Sequence, residues 1–268
     1  MTSQKKRMSD MTKIAILYSG GLDSFILYHM AKAQYPKADV VCVFYDHGQD
    51  SVTAEIAALP DFVHVRKVDW LNVQNNAQRK ESDPFAGPIY IPGRNLVFST
   101  LVACQELPDE IWMGTMFDED NEGATDKNET FRRLTGRVLQ YVLSPFQPEG
   151  VKIRFPFVEQ QMTKSVAINW AINNEVTEEE LKSTTSCWHN KTGTQCGKCK
   201  QCLKRWLAMR TNGIYEDFEV DPIENQQEVI QGYVDYYNKG KANMDERVMA
   251  TMILEQLYKN EDGVWVSK

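Results

Sequence analysis

Residues 13–24 of the chain read KIAILYSGGLDS, and this stretch decides the fold. Ile14–Tyr18 is a short apolar run that predicts a buried strand, and Asp23–Ala33 predicts the helix that follows it. Between them, Gly20 and Gly21 allow positive φ angles and a close approach of the backbone to an anion. The next helix begins with unpaired N–H groups and the positive end of its dipole. The stretch therefore predicts a phosphate-binding loop.

The loop supplies further polar groups for an anionic ligand. Ser19 and Ser24 add hydroxyl donors, and Asp23 caps the helix, orients the loop or holds a metal. The Walker pattern Gly-x4-Gly-Lys-Ser/Thr is absent from the sequence, so the loop differs from that of ordinary P-loop NTPases. The alternative is a capped glycine turn that binds nothing. The residues assigned to binding of the phosphate-bearing ligand are Tyr18, Ser19, Gly20, Gly21, Leu22, Asp23 and Ser24.

The following segments alternate apolar runs with amphipathic stretches. Near-continuous apolar strands that alternate with helices indicate an α/β fold, a doubly wound parallel sheet covered on both faces. Ligands of such sheets bind beyond the carboxyl ends of the strands, where the loop after Tyr18 and the segment after Gly114 both lie. The predicted strands are Val40–Tyr45, Val63–Val68, Glu110–Gly114 and an edge strand, Lys152–Phe157. The predicted helices are Asn95–Gln105, Thr130–Val142 and Met162–Asn173.

Four cysteines give the second strong signal, with the spacing Cys187-x8-Cys196-x2-Cys199-x2-Cys202. Two-residue spacings let a turn aim successive sulfurs at one ion, and Zn²⁺ prefers four tetrahedral thiolates. Four protein ligands leave no open position, so the expected zinc is structural. A redox pair or a chance grouping is the alternative.

Composition disfavours several classes of function. Hydrophobic residues make up 42% and charged residues 25% of the 268, as in ordinary globular proteins. The net charge of −7 argues against a nucleic-acid backbone as the main partner. No apolar run approaches the ~20 residues of a membrane span, and the run at 14–17 is too short for a signal-peptide core. We therefore expect a cytoplasmic protein with no membrane partner, in which clustered thiols bind metal more often than they form disulfides.

The loop matches the SGGxDS motif of the PP-loop ATP-pyrophosphatase superfamily, whose members split ATP between the α- and β-phosphates. From about Lys13 to Met209 the chain further resembles the 7-cyano-7-deazaguanine synthases of queuosine-precursor biosynthesis. The middle motifs are individually weak, but their order and the cysteine spacing are specific. The motifs are the Ser19–Ser24 loop, Asp46-His47-Gly48-Gln49, Pro92-Gly93-Arg94-Asn95, Gly123 to Phe131, Pro156 with Lys164, and the cysteines.

These signals divide the chain into four segments. Residues 1–12 are a polar leader, 13–185 the PP-loop ATP-pyrophosphatase domain, 186–211 the four-cysteine zinc segment, and 212–268 a helical C-terminal extension. The extension has predicted helices around Glu224–Tyr237 and Asp245–Tyr258, which would cover the domain or form a homodimer contact. The remaining cysteines, Cys42 and Cys104, are expected to be small core side chains.

The resemblance implies a reaction and its ligands. The family converts 7-carboxy-7-deazaguanine to its nitrile, preQ0: the carboxylate is adenylated, ammonia displaces AMP to give the amide, and a second activation of the amide oxygen permits dehydration. A carboxylate is a poor electrophile until its oxygen becomes a leaving group, so catalysis needs positioning and charge neutralisation. The implied cofactors are ATP as co-substrate, Mg²⁺ and the structural Zn²⁺.

The resemblance also implies site residues. Asp23, Arg94 and Lys164 would be catalytic, with Arg94 a partner for a carboxylate or phosphate and Lys164 a charge neutraliser as pyrophosphate leaves. Arg94, Asn95 and Asp126 would bind the substrate, Asp126 by accepting purine-like N–H groups. The alternatives are a turn in which Asn95 caps the next helix, a surface lysine at 164 and a solvated acid at 126. Asp118 and Asp120 are weaker candidates for Mg²⁺.

The chain departs from the family pattern, and this leaves the acceptor open. Thr125-Asp126-Lys127 stands where the family commonly has Pro-Asp-Cys, and His47 where it has tyrosine. One alternative is that the activated deazaguanine acyl group passes to a macromolecule, such as a protein amine, or that the amide is released. Another is a zinc-knuckle binding module with a degenerate ATP site, against which Ser19, Asp23 and Ser24 speak.

Overall fold

The computed structural model describes residues 11–48, 52–68, 93–119, 125–189 and 193–268. The strands in these ranges are β1 (Lys13–Leu17), β2 (Asp39–Asp46), β3 (Val63–Lys67), β4 (Glu110–Trp112), β5 (Lys152–Arg154), β6 (Leu257–Lys259) and β7 (Trp265–Ser267). The helices are α1 (Leu22–Gln34), α2 (Val52–Ala57), α3 (Arg94–Glu106), α4 (Glu129–Leu143), α5 (Pro156–Glu159), α6 (Lys164–Ile172), α7 (Glu178–Lys182), α8 (Lys200–Thr211), α9 (Pro222–Asn225), α10 (Gln227–Asn238) and α11 (Met244–Gln256). A 3-10 turn covers Phe117–Glu119.

Five of these strands form one parallel sheet in the order β3-β2-β1-β4-β5. In its middle, Ile16 of β1 lies opposite Cys42 of β2 and Trp112 of β4. The chain adds β2 and β3 on one side of β1 and then β4 and β5 on the other, so the strand order reverses between β1 and β4. Ligands of open α/β sheets bind at such a reversal, beyond the carboxyl ends of the strands. The loop after β1 begins at this point.

Helices cover both faces of the sheet, as the sequence predicts. On one face, Ile14 and Ile16 belong to a buried cluster that includes side chains of α1, α6 and α8. On the other, Ala15 and Val43 belong to a cluster with side chains of α3 and α4. Successive residues of a strand point to opposite faces, which is why neighbours in β1 enter different clusters. The α/β doubly wound fold is therefore confirmed.

The C-terminal extension packs on the first of these faces through α8. Helix α8 lies against α6 and also against α11, and α11 pairs with α10. Ile230, Tyr233 and Ile253 are buried in the same cluster as α1. The chain then ends in an antiparallel hairpin of β6 and β7, with Leu257 opposite Ser267.

Some predicted elements were wrong in detail. The strand predicted for Lys152–Phe157 ends at Arg154, and Pro156 opens the short helix α5. Proline is favoured at the first helical position because the N–H that it lacks would have no helical partner there. The helix predicted for Glu224–Tyr237 is two helices, α9 and α10, which meet at Gln226.

Short elements and one cysteine also differ from expectation. The sequence analysis did not identify α2, α7 or the final hairpin, which are too short for a clear periodicity. Cys42 is buried as expected, but Cys104 is exposed because it lies on the solvent side of α3, beside the buried Val102 and Ala103. No described helix is long and apolar enough to cross a bilayer.

Candidate active site

The loop between β1 and α1 is closed by hydrogen bonds among its own groups. The Ser24 hydroxyl accepts from the backbone N–H of Ser19 at 3.1 Å and donates to the carbonyl of Gly21 at 3.0 Å. Gly20 has a φ of 76°, in the left-handed region that favours glycine. Gly21 is the N-cap of α1 and has no side chain with which to cap it. The first N–H groups of α1 are thereby left to a ligand.

Two other segments hold this loop closely. The backbone N–H of Thr185, just before the cysteine segment, donates to the carbonyl of Gly20 at 3.0 Å. A Cβ at Gly21 would lie 3.3 Å from the carbonyl oxygen of Thr185, and one at Gly114 would lie 3.4 Å from Cβ of Asp23. The end of β4 and the start of the cysteine segment therefore pack directly on the loop.

Asp23 and Lys164 form an ion pair at the base of the loop. Nζ of Lys164 lies 2.6 Å and 2.8 Å from the two carboxylate oxygens of Asp23. The lysine side chain is only 10% exposed and the aspartate 27%. Lys164, the first residue of α6, is thus a buried cation aimed at the loop, in contrast to the surface lysine that was the alternative.

A cavity of about 480 Å³ opens at the carboxyl ends of β1, β2 and β4. One part of its wall is the phosphate loop, and the opposite part comes from the end of β2 and the start of α3. The described residues that line it are Leu17, Tyr18, Ser19, Asp23, Ser24, Val43, Phe44, Tyr45, His47, Glu55, Arg94, Asn95, Phe98, Met113, Gly114, Thr115, Glu119, Lys127, Trp188 and Gln201.

Arg94 and Asn95 lie on the cavity wall at the start of α3. Helix α3 begins after Gly93, whose φ is 70°, so Gly93 and not Asn95 occupies the capping position. The Asn95 amide instead donates to the backbone carbonyl of Asp126 at 3.1 Å. Among the described residues that line the cavity, Lys127 is present and Asp126 is not. The substrate role of the Asp126 side chain stays a prediction.

Aromatic side chains form the wall beside Arg94. The ring of Phe98 stacks on Tyr45 at a centroid distance of 4.9 Å and lies 5.9 Å from the His47 ring. His47 is buried, and its Nδ1 has no hydrogen-bond partner among the described residues. Burial and the nearby Arg94 guanidinium lower the pKa of His47 to about 4, although its own backbone and Asp46 oppose the shift. This wall therefore offers flat apolar surface and a neutral imidazole.

Glu119 is one of the acidic side chains that line the cavity. It accepts a hydrogen bond from Nζ of Lys127 at 3.0 Å, and Nζ of Lys204 lies 3.4 Å from its other oxygen. Burial favours its neutral form, but the surrounding lysines, Lys204 and Lys127 foremost, hold the pKa of Glu119 well below its usual range. Glu119 is therefore a carboxylate at neutral pH.

Of the two weaker candidates for a Mg²⁺ ligand, Asp118 lies within the described residues and Asp120 does not. Asp118 is buried and is not among the described residues that line the cavity. Burial raises the pKa of Asp118 to about 6, against the opposing effect of Lys204. This environment disfavours a cation ligand that faces the cavity. Asp120 lies outside the described residues, as do Gln49, Pro92 and Gly123 of the family motifs.

The four cysteines Cys187, Cys196, Cys199 and Cys202 form one buried cluster, with their sulfurs all within 4.8 Å of one another. Sγ of Cys202 lies 3.8 Å from that of Cys196 and 3.5 Å from that of Cys199. Backbone N–H groups of His189 and Lys198 point at the sulfurs of Cys187 and Cys196, at 3.3 Å each. This donor set is suited to binding one metal ion.

The cysteine cluster also shapes the cavity. Trp188, next to Cys187, packs against the cluster and lines the cavity, and Gln201 of α8 lines the cavity as well. Sequence reasoning did not assign Trp188, Gln201, Phe98 or Glu119 to the site. Trp188 could have been predicted because it follows one of the four cysteines, and Phe98 because it lies one helical turn after Arg94. Glu119 and Gln201 gave none.

Comparison with known proteins places these features in context. Residues 13–213 match the family described as "Queuosine biosynthesis protein QueC". A 7-cyano-7-deazaguanine synthase from Methanococcus aeolicus is 27% identical in an alignment 237 residues long, and the match covers 77% of this chain and 98% of the relative. One from Leptospira interrogans is 27% identical in an alignment 234 residues long, and the match covers 79% of this chain and 92% of the relative. A solved U34-tRNA thiolase, NcsA from Methanococcus maripaludis with its 4Fe-4S cluster, aligns at 14% identity with a TM-score of 0.39, over 90% of this chain and 74% of that one. That superposition is too loose to bear on function.

Proposed function

This chain belongs to the queuosine biosynthesis protein QueC family, and on that premise we propose that it converts 7-carboxy-7-deazaguanine and ammonia to 7-cyano-7-deazaguanine (preQ0) with ATP. The observation that supports this most is that one cavity is lined by the phosphate loop on one side and by Arg94, Asn95 and Phe98 on the other. A nucleotide and a second, flat, anionic molecule would meet there.

ATP would bind with its phosphates at the start of α1. The backbone N–H groups there and the Ser19 hydroxyl would donate hydrogen bonds to the phosphate oxygens. Leu22 is fully buried in the core, so only its backbone faces the ligand. Mg²⁺ would arrive with ATP, since no described cluster of carboxylates gathers around the loop. Asp23 and Glu55 are the carboxylates nearest to the nucleotide side of the cavity.

The deazaguanine would lie on the aromatic wall of Tyr45, His47 and Phe98. Arg94 is placed to pair with its carboxylate, because a guanidinium donates two parallel hydrogen bonds to such a group. The pair would hold a carboxylate oxygen toward the α-phosphorus of ATP. Bringing two anions together in this way requires cations, which Arg94 and Lys127 supply at the wall.

The reaction would proceed in three steps: adenylation, amide formation and dehydration. A carboxylate oxygen bonds to the α-phosphorus, the bond from that phosphorus to the bridging oxygen breaks, and pyrophosphate leaves. Ammonia bonds to the acyl carbon, AMP leaves and a proton is lost, which gives the amide. The amide oxygen attacks a second ATP in the same way, and loss of AMP and of the N–H protons gives the nitrile.

Lys164 and Asp23 would act at the departure of pyrophosphate. The ammonium of Lys164 is held by both oxygens of Asp23 within reach of the loop. Charge that develops on the leaving oxygens would draw this ammonium, and a preplaced cation costs no reorganisation at that moment. Asp23 is the counter-ion that would hold the Lys164 ammonium in place until ATP arrives.

A structural Zn²⁺ fits the four cysteines. Thiolates placed tetrahedrally about 2.3 Å from one Zn²⁺ would lie about 3.8 Å apart. The Sγ separations of 3.5 Å and 3.8 Å around Cys202 agree with that figure. A bound Zn²⁺ would supply rigidity, which keeps Trp188 and the start of α8 against the cavity. Metal analysis should find about one zinc and no iron per chain.

One reaction tests the proposal directly. Purified protein is incubated with ATP, ammonium and 7-carboxy-7-deazaguanine, and every product is identified by mass spectrometry. We expect AMP, pyrophosphate and preQ0 in the wild type, and none of them with Lys164→Met. Lys182→Met, which changes a surface lysine of α7 paired with Glu178, is the matched control.

The outcomes of this reaction separate the alternatives. A protein that never consumes ATP with this substrate would refute the proposal. Accumulation of the amide would place the end product one step earlier. An adduct on a protein amine that forms without ammonia would show a macromolecular acceptor. Turnover of any of these kinds would eliminate a zinc-knuckle binding module.

A further inference from the structure

A line of charged side chains connects the C-terminal extension with the cavity. Asp245, in the first turn of α11, forms an ion pair with Lys204 of α8. Nζ of Lys204 lies 3.4 Å from one oxygen of Glu119, and the other oxygen of Glu119 accepts from Lys127 at 3.0 Å. Glu119 and Lys127 line the cavity, whereas Asp245 lies beyond residue 213, where the family match ends.

Burial makes the charges in this line strongly dependent on one another. The side chain of Lys204 is 8% exposed, that of Asp245 14%, that of Glu119 17% and that of Lys127 37%. Poorly solvated charges interact more strongly than surface ones, and a buried ammonium must keep a counter-ion. Lys204 pairs with both Asp245 and Glu119, Glu119 pairs with both Lys204 and Lys127, and Asp245 also lies 3.5 Å from Nζ of Lys200. Removing the charge of Asp245 should therefore change how strongly Lys127 is held.

The direction of that effect follows from the geometry. Without the Asp245 charge, Lys204 retains Glu119 and the neighbouring buried Asp118 as counter-ions. Its ammonium would move from 3.4 Å into a closer contact with Glu119. Glu119 would then attract Lys127 less, and Lys127, the most exposed of the four, would leave the wall.

We propose that Asp245 is a positioning residue of the active site: by neutralising Lys204 it leaves Glu119 to hold the Lys127 ammonium at the cavity wall. The role of Lys127 toward an anionic substrate rests on the proposed function. Lys127 and Arg94 are the lysine and arginine side chains among the described residues that line the cavity. The extension would thereby supply a residue that positions one of these two cationic side chains.

Labelling of Lys127 tests the positioning without any turnover. Wild type, Asp245→Asn, Asp245→Glu and Asp262→Asn are treated with an amine-reactive N-hydroxysuccinimide ester, and the rate at Lys127 is measured by peptide mass spectrometry. Asp245→Asn should raise this rate about threefold, the size expected when a partly exposed ion pair is lost. Asp245→Glu keeps the charge and should stay near the wild type. Asp262→Asn changes an exposed acid of the same extension and is the matched control.

A double variant separates charge from a merely structural contact between α11 and α8. Asp245→Asn with Lys204→Met removes both members of the pair, so Glu119 is again left to Lys127, and labelling should return to the wild-type rate. A structural contact predicts the opposite, since the double variant removes more of it. Unchanged labelling in Asp245→Asn, or further increased labelling in the double variant, would overturn the proposal.

Steady-state kinetics test the consequence for substrate. Asp245→Asn should raise KM for 7-carboxy-7-deazaguanine about threefold with little change in kcat, and should add nothing in a Lys127→Met background. An equal effect of Asp245→Asn in both backgrounds would show that Asp245 acts elsewhere. If the wild type forms no product, the proposed function fails, while the labelling result still decides the role of Asp245.

Discussion

Substitution of Gly197 by alanine tests how the cysteine segment is joined to the extension. Gly197 lies in the tight turn between Cys196 and Cys199, with a φ of 75°. A Cβ there would lie 1.9 Å from the carbonyl oxygen of Val220, a backbone atom that cannot swing away as a flexible side chain would. The Val220 segment is itself fixed, because the N–H of Glu219 donates to the carbonyl of Gln195 at 2.9 Å.

The expected cost of Gly197→Ala has two parts. A left-handed backbone costs an L-residue about 1–2 kcal/mol, and overpacking against a fixed neighbour adds about 1–3 kcal/mol. Gly193→Ala is the matched control, because Gly193 has a φ of 92° but a Cβ there would meet no atom within 4 Å among the described residues. The control should therefore cost only the first part, about 1–2 kcal/mol.

Thermal unfolding measured with zinc analysis provides the assay. At roughly 2–4 °C per kcal/mol for a chain of this size, Gly197→Ala should lower Tm by about 10 °C and Gly193→Ala by about 4 °C. Gly197→Ala should also retain less zinc after dialysis against a chelator, because the turn that aims Cys196 and Cys199 is displaced. Equal losses of Tm in the two variants would refute the reasoning, since the clash would then contribute nothing.

Further predictions concern the loop, the metal, His47 and Trp188. Asp23→Asn should lower the rate of AMP formation about 100-fold or more, because it releases the cation placed for pyrophosphate; a rate within about threefold of the wild type would contradict this role. Removal of zinc by a chelator should lower Tm and ATP affinity together, because Thr185 links the cysteine segment to Gly20; an unchanged affinity for ATP, measured by calorimetry in the metal-free protein, would count against that link. The pKa of His47 is lower in the folded chain, at about 4, than in the unfolded chain, so the unfolded state binds the proton first and stability should fall as pH drops from about 6.5 to 4. The free energy of urea unfolding should therefore depend less on pH across this window in His47→Phe than in the wild type. An equal pH dependence in the two proteins would contradict the burial argument. Trp188→Ala should raise the KM of a substrate at least about threefold while zinc content stays at one per chain; loss of zinc instead would show that Trp188 serves the metal site and not the cavity.

Periodicity and motif order made much of the α/β domain predictable. The predicted strand Ile14–Tyr18, for example, is apolar throughout and is followed by a glycine turn and then a helix, so its type follows from burial on both faces. The spacing of the four cysteines likewise predicted that their side chains form one compact cluster. Boundaries were less predictable, because residues such as Pro156 fit either a strand end or a helix start.

The remainder of the site depends on contacts across long stretches of sequence. Glu119 lies in an acidic loop in which nothing distinguishes it from its neighbours, until α8 brings Lys204 beside it. His47 differs from the family residue in sequence, but only the packing of Phe98 shows that it is a wall residue. At Asp126, the motif predicts a substrate contact of the side chain, which stays a prediction, and the structure adds that the backbone carbonyl accepts a hydrogen bond from the Asn95 amide.

The core shared by α1, α6 and the helices of the extension has a consequence for synthesis on the ribosome. Helices α1, α6 and α8 are translated first, and α10 and α11, which complete the buried cluster through the contact of α11 with α8, follow only within the 55 residues 214–268. At about 5–20 residues per second, translation of those residues takes roughly 3–11 s. Through that interval the nascent chain exposes an unfinished core and lacks Asp245. Cover for this core is therefore acquired only after residue 213 has been translated, and a stop codon near residue 213 would leave the apolar side of α8 exposed and prone to aggregation.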